Sequence, residues 1–225
     1  SLVDMRPDDQ ATQVVTSLMD RSGVDAGEVE DLIMGCGQPA GESGYNIGRV
    51  VAVEAGMPDV PGVTVNRYCS SSLQTIRMAA HAIRAGEGDV FVAGGVESMS
   101  RAPWVMLKPD TGWPRGAPST ADTVLGWRFT NPALPEQWTI GLGETAEVVA
   151  EEKGVTREAQ DAFALESQRR AGAAMEAGRF ADEIVPVRIP QRKGDPLVVD
   201  TDEHPRPDTT AEALASLRPV FKKGG

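Results

Sequence analysis

A strand, a turn, a long helix and a second strand follow one another within the first hundred residues, and this unit constrains the fold more than any other feature. The first strand, Gly62–Asn66, is rich in β-branched residues, and the helix, Ser71–Ala85, stops before Gly86. The second strand, Asp89–Ala93, runs into Gly94–Gly95. The apolar residues of the helix share one face: Leu73, Ile76, Ala80 and Ile83. Two strands joined through a helix run parallel, so the sequence predicts an α/β fold.

Three further elements are predicted ahead of this unit. A helix begins at Pro7 and stops before Gly23, because proline suits the first turn of a helix and glycine suits its end. Asp31–Met34 has the composition of a short buried strand, and Asn46–Ala55 that of a second helix.

Beyond residue 100 the pattern weakens and then becomes helical again. All four tryptophans lie between Trp104 and Trp138, in a proline-containing loop that we expect to be packed. Thr156 is a good N-cap for a helix over Arg157–Ala177. Two short strands, within Ile184–Ile189 and Pro196–Val199, are expected to form a hairpin, and a last short helix follows.

Composition excludes several classes of protein. The chain carries 22 basic and 33 acidic residues, a formal net charge of −11, which would repel nucleic acid and anionic membrane surfaces. No apolar run approaches a membrane span, and the two cysteines are too few for a secreted disulfide scaffold. We therefore expect a cytoplasmic protein. Residues 101–225 hold 16 of the basic residues, so an anionic ligand would bind there.

Cys69 is the residue whose position suggests chemistry. It lies between the end of a strand and the start of a helix, where unpaired backbone N–H groups and the helix dipole favour a thiolate. The same N–H groups could hold an oxyanion formed when that thiolate attacks a carbonyl. The alternative from the pattern alone is that Cys69 is a packed small apolar residue. Cys36, which ends a strand among glycines, fits that alternative better.

Neither histidine is placed to act as a base for Cys69. His81 lies twelve residues further along the same helix, which is roughly 18 Å along its axis. His204 lies in a polar loop and is expected at the surface. The sequence contains no metal-ligand cluster, no phosphate-binding loop and no dinucleotide fingerprint, so no metal site is predicted.

A series of motifs resembles the thiolase family, the acetyl-CoA acyltransferases, along the whole chain. The strongest are VNRYCSSS over Val65–Ser72 and AGGVESMS over Ala93–Ser100. Further matches occur in order along the chain: Gly37–Gly41, Thr145–Glu147, Gln160–Ala164, Glu183–Pro186, Arg192–Asp195 and Leu217–Pro219. The related ketoacyl-synthase condensing enzymes share the fold and a cysteine elbow but not this series, and they remain an alternative. Two segments, Gly126–Pro132 and Asp202–Thr210, resemble most the thiolases that act on 3-oxoadipyl-CoA.

The resemblance implies a reaction and a set of roles. Cys69 would attack a 3-oxoacyl-CoA and hold an acyl thioester that coenzyme A then accepts, and the reverse condensation is equally implied. Arg206 matches a family position near coenzyme A, and Leu142 matches a methionine that lines the acyl pocket. Ala213 replaces a serine that contacts coenzyme A in some members. No tightly bound cofactor is implied: coenzyme A and acetyl-CoA are substrates, in fatty acid or aromatic degradation, and the protein is expected to be a homodimer or homotetramer.

The resemblance also implies a domain plan. The fold would be the layered αβαβα thiolase fold, with residues 1–100 as its N-terminal half and residues 101–225 as a loop domain that covers the active site and binds coenzyme A. The family's C-terminal half, with its catalytic histidine and second cysteine, has no counterpart in this sequence. We therefore expect the 225-residue chain to be inactive by itself, or to be a fragment that binds coenzyme A or a partner without turnover. An exposed apolar helix face and an unpaired sheet edge should remain.

Overall fold

Six α-helices and seven β-strands make up most of the regular structure of the described residues. The computed structural model describes residues 2–225. In chain order the elements are α1 (Pro7–Ser22), β1 (Asp31–Gly35), α2 (Ile47–Glu54), β2 (Gly62–Val65), α3 (Ser71–Ala85), β3 (Phe91–Gly95), β4 (Trp104–Met106), β5 (Thr120–Asp122), α4 (Leu142–Lys153), α5 (Arg157–Glu176), β6 (Val187–Ile189), β7 (Leu197–Val199) and α6 (Ala211–Ala215). The predicted α/β class is confirmed, and each predicted helix and strand is present with shifts of a few residues at its ends.

A three-stranded parallel sheet organises the first part of the chain. Its strand order is β2-β1-β3, so the unit of strand, helix and strand predicted from the sequence spans the central strand β1. Leu32 in the centre lies opposite Gly62 on one side and Val92 on the other. Within residues 2–225 the outer edges of β2 and β3 pair with no further strand, as expected.

The main apolar core lies between this sheet and the helices α1 and α2. Alternate residues of β1 point into it, because successive side chains of a strand face opposite sides of the sheet. The buried members of this core are Ala11, Val15, Val29, Leu32, Met34, Cys36, Ile47, Val51, Ala52, Met57, Val60 and Val92. Helix α1 contributes Ala11 and Val15 to this core, whereas its apolar residues Val14 and Leu18 remain exposed.

Helix α3 packs on the opposite face of the sheet through small residues. Its buried positions are Ser71, Thr75 and Ala79. The hydroxyl of Thr75 donates to the backbone carbonyl of Gly94 at 3.2 Å, which ties the helix to β3. Because these side chains are short, the helix backbone lies close to the strands.

The apolar face of α3 is turned away from the sheet. Leu73 is 70% exposed, Ile76 56% and Ile83 45%. The expected exposed apolar helix face is therefore present, and α3 provides it. A face of this kind is typical of a helix that packs against further protein.

Two small hairpins complete this part of the chain. Strands β4 and β5 pair antiparallel, and so do β6 and β7, which confirms the predicted hairpin. Met5 packs against Val187 and Ile189 of β6 in a second, smaller core. The amide of Gln13 in α1 forms hydrogen bonds to both backbone groups of Arg188, at 3.0 and 2.8 Å, as a neighbouring strand would.

A partly buried ion cluster joins three loops of the same region. Glu42 accepts from Arg101 at 2.5 Å and from Arg6 at 3.1 Å. Arg6 also pairs with the buried Asp8 in the first turn of α1. The hydrogen bond from Arg101, together with both positive charges, lowers the pKa of Glu42 below its usual range.

The expectation that the tryptophans are packed is wrong. Their exposed fractions are 75% for Trp104, 93% for Trp113, 51% for Trp127 and 69% for Trp138. The β4–β5 hairpin, which carries Trp104, has only two strands of three residues each. Neither strand is long enough to bury an aromatic side chain.

The chain divides into two compact units. The first unit comprises residues up to Val124 together with Val185–Asp200, and the second comprises Leu125–Ile184 with Thr201–Gly225. Helices α4, α5 and α6 belong to the second unit. These units divide the chain elsewhere than at residue 100, and the functional division into an N-terminal half and a loop domain stays a prediction.

The second unit is held by local caps and by one arginine. Thr156 caps α5 by accepting from the backbone of Ala159, as predicted. Arg157 donates to the carbonyl groups of Leu214 and Leu217, at 2.8 and 2.9 Å, and so fixes the end of α6 to the start of α5. None of the helices described over residues 2–225 is both long enough and apolar enough to cross a bilayer.

We predict that Gly48→Ala destabilises the first unit by about 1–3 kcal/mol. A Cβ at Gly48 in α2 would lie 2.5 Å from the carbonyl oxygen of Val63 in β2, and backbone cannot move aside cheaply. The helix propensity gained from alanine, about 1 kcal/mol, is smaller than this clash. Urea unfolding of the chain measures the effect. Gly94→Ala is the matched control, because its Cβ would meet nothing within 4 Å, and equal stability of the two variants would contradict the prediction.

Candidate active site

Polar residues and both cysteines collect at one edge of the parallel sheet. Cys36 follows β1, Asn66 and Cys69 follow β2, and Glu97 follows β3. Because the three strands run parallel, their carboxyl ends meet at the same edge. This is the edge at which open α/β sheets bind ligands, so we take it as the candidate active site.

The turn between β2 and α3 is held in an unusual conformation. Tyr68 has φ +48°, a left-handed conformation that costs free energy for a residue with a side chain. Its N–H donates to the side chain of Asn66 at 2.9 Å, and its carbonyl accepts from the hydroxyl of Ser71 at 2.6 Å. The same hydroxyl accepts from the N–H of Arg67 at 2.9 Å. Both polar backbone groups of Tyr68 are thus fixed by side chains.

Cys69 follows this fixed residue and lies at the N-terminal end of α3. It is exposed, and a short 3₁₀ turn over Tyr68–Ser70 leads from it into the helix. Within residues 2–225 its own N–H has no hydrogen-bond acceptor. A thiol at this position is accessible to a carbonyl compound that it could attack, and it lies beside a positive helix end and a free backbone donor. The location predicted for Cys69 is confirmed, and its catalytic role stays a prediction.

Cys36 is the opposite kind of cysteine. It is 1% exposed and belongs to the main core, which confirms the prediction that it packs as a small apolar residue. Burial, with the negative charge of Glu97 close by, raises the pKa of the Cys36 thiol to about 11. At neutral pH this thiol is protonated and therefore a poor nucleophile.

Glu97 organises the loop that follows β1. One oxygen of its carboxylate accepts from the backbone N–H of Gly37 at 2.6 Å and from that of Gln38 at 3.2 Å. The other oxygen lies 3.8 Å from the thiol of Cys36. The carbonyl of Gly37 in turn accepts from the side-chain amide of Asn66 at 3.1 Å. The loops after all three strands are thus connected by hydrogen bonds.

The histidines stand where the sequence predicted. His81 is an exposed residue within α3, twelve residues beyond Cys69, and His204 is an exposed loop residue of the second unit. Within residues 2–225 no group of three or more histidine, cysteine, aspartate or glutamate side chains is placed to hold a metal ion.

Leu142, predicted to line the acyl pocket, and Arg206, predicted to lie near coenzyme A, belong to different elements of the second unit. Leu142 is the first residue of α4 and is 82% exposed. Arg206 lies in the turn before α6, where its N–H donates to Gln168 and its carbonyl accepts from Thr209. The guanidinium group of Arg206 is exposed and has no partner among residues 2–225. The roles of both residues stay predictions.

Sequence reasoning missed three residues of the site. Asn66, Ser71 and Glu97 lie within the family motifs, but only the structure shows that their side chains fix the turn and the loops around it. The available signal was their position directly after a strand or at a helix start. The left-handed Tyr68 carried no signal, because tyrosine rarely adopts positive φ.

Comparison with known proteins is consistent along the entire chain. The family model for the thiolase N-terminal domain matches residues 1–225. A β-ketoadipyl-CoA thiolase of Acinetobacter baylyi is 51% identical over all of this chain and 56% of its own length. One of Pseudomonas aeruginosa is 52% identical over 98% of this chain and 55% of its own length.

A solved structure agrees with these relatives. The crystal structure of the Bacillus anthracis acetyl-CoA acetyltransferase matches with a TM-score of 0.88 and 40% identity, over all of this chain and 56% of that one. The chain thus spans about half the length of the proteins it matches. Because the family model and these relatives match the chain from one end to the other, the chain belongs to the thiolase family.

Proposed function

We propose that this chain supplies the nucleophilic half of an acyl-CoA thiolase, with Cys69 as the nucleophile. The observation that carries the proposal is the contrast between the two thiols. Cys69 is exposed at the N-terminal end of α3 beside a free N–H, whereas Cys36 is buried and protonated. Membership of the thiolase family, whose relatives are named thiolases and acetyltransferases, supports the same assignment.

The first step of the proposed reaction forms a thioester on Cys69. The thiolate attacks the 3-keto carbon of a 3-oxoacyl-CoA, and a carbon–sulfur bond forms. The backbone N–H of Cys69 donates to the oxyanion that develops on the keto oxygen. The bond between C2 and C3 then breaks, and the carbanion of acetyl-CoA leaves and takes up a proton. The acyl group remains on Cys69.

The second step returns the enzyme to its starting state. The sulfur of coenzyme A attacks the thioester carbonyl, the bond to Cys69 breaks, and a shortened acyl-CoA is released as the thiolate is restored. Both steps need an acid–base group beside the thiol. His81 lies roughly 18 Å further along the helix, so we propose that this group is supplied from outside the unit of β2, α3 and β3.

The second unit offers a contact for the phosphates of coenzyme A. The guanidinium of Arg206 is exposed, while the backbone on either side of it is fixed by Gln168 and Thr209. A fixed backbone with a free guanidinium suits the binding of a phosphate oxygen pair. We also propose that Leu142 lines the acyl pocket. In this proposal coenzyme A and its thioesters are substrates, and no cofactor is tightly bound.

The acyl group that we propose is a 3-oxoadipyl or similar dicarboxylic group. Six of the relatives, at 45–52% identity, are named β-ketoadipyl-CoA thiolases. A short acyl group is the second candidate, because an acetyl-CoA acetyltransferase of Pseudomonas aeruginosa is 47% identical to this chain. We further propose a cytoplasmic homodimer or homotetramer, supported by the extensive apolar surface that the chain exposes.

Alkylation by iodoacetamide should separate the two thiols. We predict that Cys69 reacts at pH 7 at least about 100-fold faster than Cys36, because a thiol with a pKa of about 11 is only about 0.01% thiolate there. Reaction of Cys36 should rise steeply towards pH 11. Peptide mapping by mass spectrometry measures both rates, and Cys69→Ser is the control that leaves only the slow reaction. Equal rates at pH 7 would argue against an activated Cys69.

Acylation of Cys69 and continuous thiolysis are two separate tests of the proposed function. We predict that acetyl-CoA adds one acetyl group to Cys69 and none to a Cys69→Ala variant, as measured by intact mass and peptide mapping. The same 225-residue chain should show no continuous thiolysis of acetoacetyl-CoA or 3-oxoadipyl-CoA, since no histidine faces Cys69 from its own helix. Turnover by the chain alone would show that its acid–base group lies within these 225 residues.

A further inference from the structure

We propose that Asn66 and Glu97 are positioning residues that hold Cys69 in its reactive place through the backbone of Gly37 and Tyr68. The inference deepens the proposed function and rests on Cys69 being the nucleophile. Neither side chain is within hydrogen-bond distance of the Cys69 thiol. Each acts through another group, which distinguishes them from catalytic residues.

The first link runs from Glu97 to the loop after β1. The carboxylate accepts from two successive backbone N–H groups, those of Gly37 and Gln38, at 2.6 and 3.2 Å. Hydrogen bonds to a charged acceptor are stronger than neutral ones and fix this peptide relative to the end of β3. A Cβ at Gly37 would lie 2.8 Å from this carboxylate and 3.6 Å from the Cα of Tyr68, so the loop fits closely between the two.

The second link runs from that loop to the turn before Cys69. The amide of Asn66 uses both of its ends: it donates to the carbonyl of Gly37 at 3.1 Å and accepts from the N–H of Tyr68 at 2.9 Å. Because Gly37 orients the amide, the loop determines where the acceptor for Tyr68 lies. Alanine at position 66 would remove both bonds at once.

The third link explains why such a device is needed. Tyr68 is held at φ +48°, a conformation that an L-residue leaves unless its surroundings fix it. Relaxation of Tyr68 to an extended conformation would swing the following residue, Cys69, away from the N-terminal end of α3. The thiol would then lose the positive helix end that favours its anionic form. The hydroxyl of Ser71 holds the carbonyl of Tyr68, so Asn66 and Ser71 clamp the same peptide from two sides.

The test compares alkylation of Cys69 by iodoacetate and by iodoacetamide in a set of variants of the chain. The negatively charged reagent reports the local positive potential, so the ratio of the two rates measures where the thiol lies relative to the helix end. We expect Asn66→Ala to lower the iodoacetamide rate about tenfold and to lower the ratio as well. Asn66→Asp, which keeps the acceptor for Tyr68 but loses the donor to Gly37, should fall between it and the wild type.

Glu97 variants test whether the effect passes through Asn66. Glu97→Gln should lower the alkylation rate of Cys69 about threefold and Glu97→Ala about tenfold. The glutamine side chain keeps one neutral acceptor for the loop, whereas alanine keeps none. Combining Glu97→Ala with Asn66→Ala should cost no more than Asn66→Ala alone, within about twofold, since both act on one chain of contacts. Independent roles would give about a hundredfold loss and would overturn the relay.

Two control variants and an internal thiol keep the result interpretable. Asn131→Ala removes a similar local hydrogen bond, from Ala133, in the second unit, and Glu87→Gln removes an exposed negative charge next to α3. Both should leave the rates unchanged. The buried Cys36 reports general opening of the core in the Asn66 variants, and the thermal midpoint does so in the Glu97 variants.

Each outcome decides the proposal. Lower rates and a lower ratio, with Cys36 protected and the thermal midpoint retained, support positioning. Wild-type rates in Asn66→Ala and Glu97→Gln overturn it, and so does a rate change with an unaltered ratio or with Cys36 exposed in step. If Asn66→Ala does not fold, Asn66→Asp and Glu97→Gln decide. If Cys69 of the wild-type chain is alkylated no faster than Cys36, the proposed function is rejected. The comparison of Cys69 alkylation between variants still shows whether Asn66 and Glu97 position this residue.

Discussion

The close approach of the start of α3 to the central strands is the contact on which the site depends. A Cβ at Gly35 would lie 2.9 Å from both the backbone and the side chain of Ser71, and a Cβ at Gly95 would lie 2.2 Å from the hydroxyl of Ser72. Only strands that end in glycine let the helix start this near to the sheet. The turn between β2 and α3 must therefore be short, and a short turn is what brings Cys69 to the sheet edge.

Local sequence patterns predicted the helices and strands well, because strand composition, helix caps and the glycines that end helices depend on short stretches of sequence. The helix over Ser71–Ala85 and its glycine stop agree with the structure to the residue, and the N-cap at Thr156 is confirmed by its hydrogen bond. Patterns could not tell which face of a helix is buried. The apolar stripe that includes Leu73 is exposed, while Thr75 on the other face is fully buried, because the sheet requires small residues there.

The site was predictable only in part for a similar reason. The place of Cys69 follows from a local pattern of strand, turn and helix. The roles of Asn66 and Glu97 depend on contacts between loops 29 to 60 residues apart in sequence, which no local pattern encodes. The tryptophans show the opposite failure, since apolar residues were expected to be packed where the chain provides no opposing layer.

The pairing of Met5 with β6 has a consequence for the order in which the chain matures on the ribosome. All the strands and loops around Cys69 have been synthesised by residue 97, yet the apolar partners of Met5 arrive only with Val187 and Ile189. The residues between them include Leu125–Ile184, the part of the second unit that is inserted within the sequence of the first, whereas Thr201–Gly225 follows later. The nascent chain must therefore carry an unfinished N-terminal segment while residues 125–184 of the second unit emerge, and contacts of such large sequence separation are slow to form.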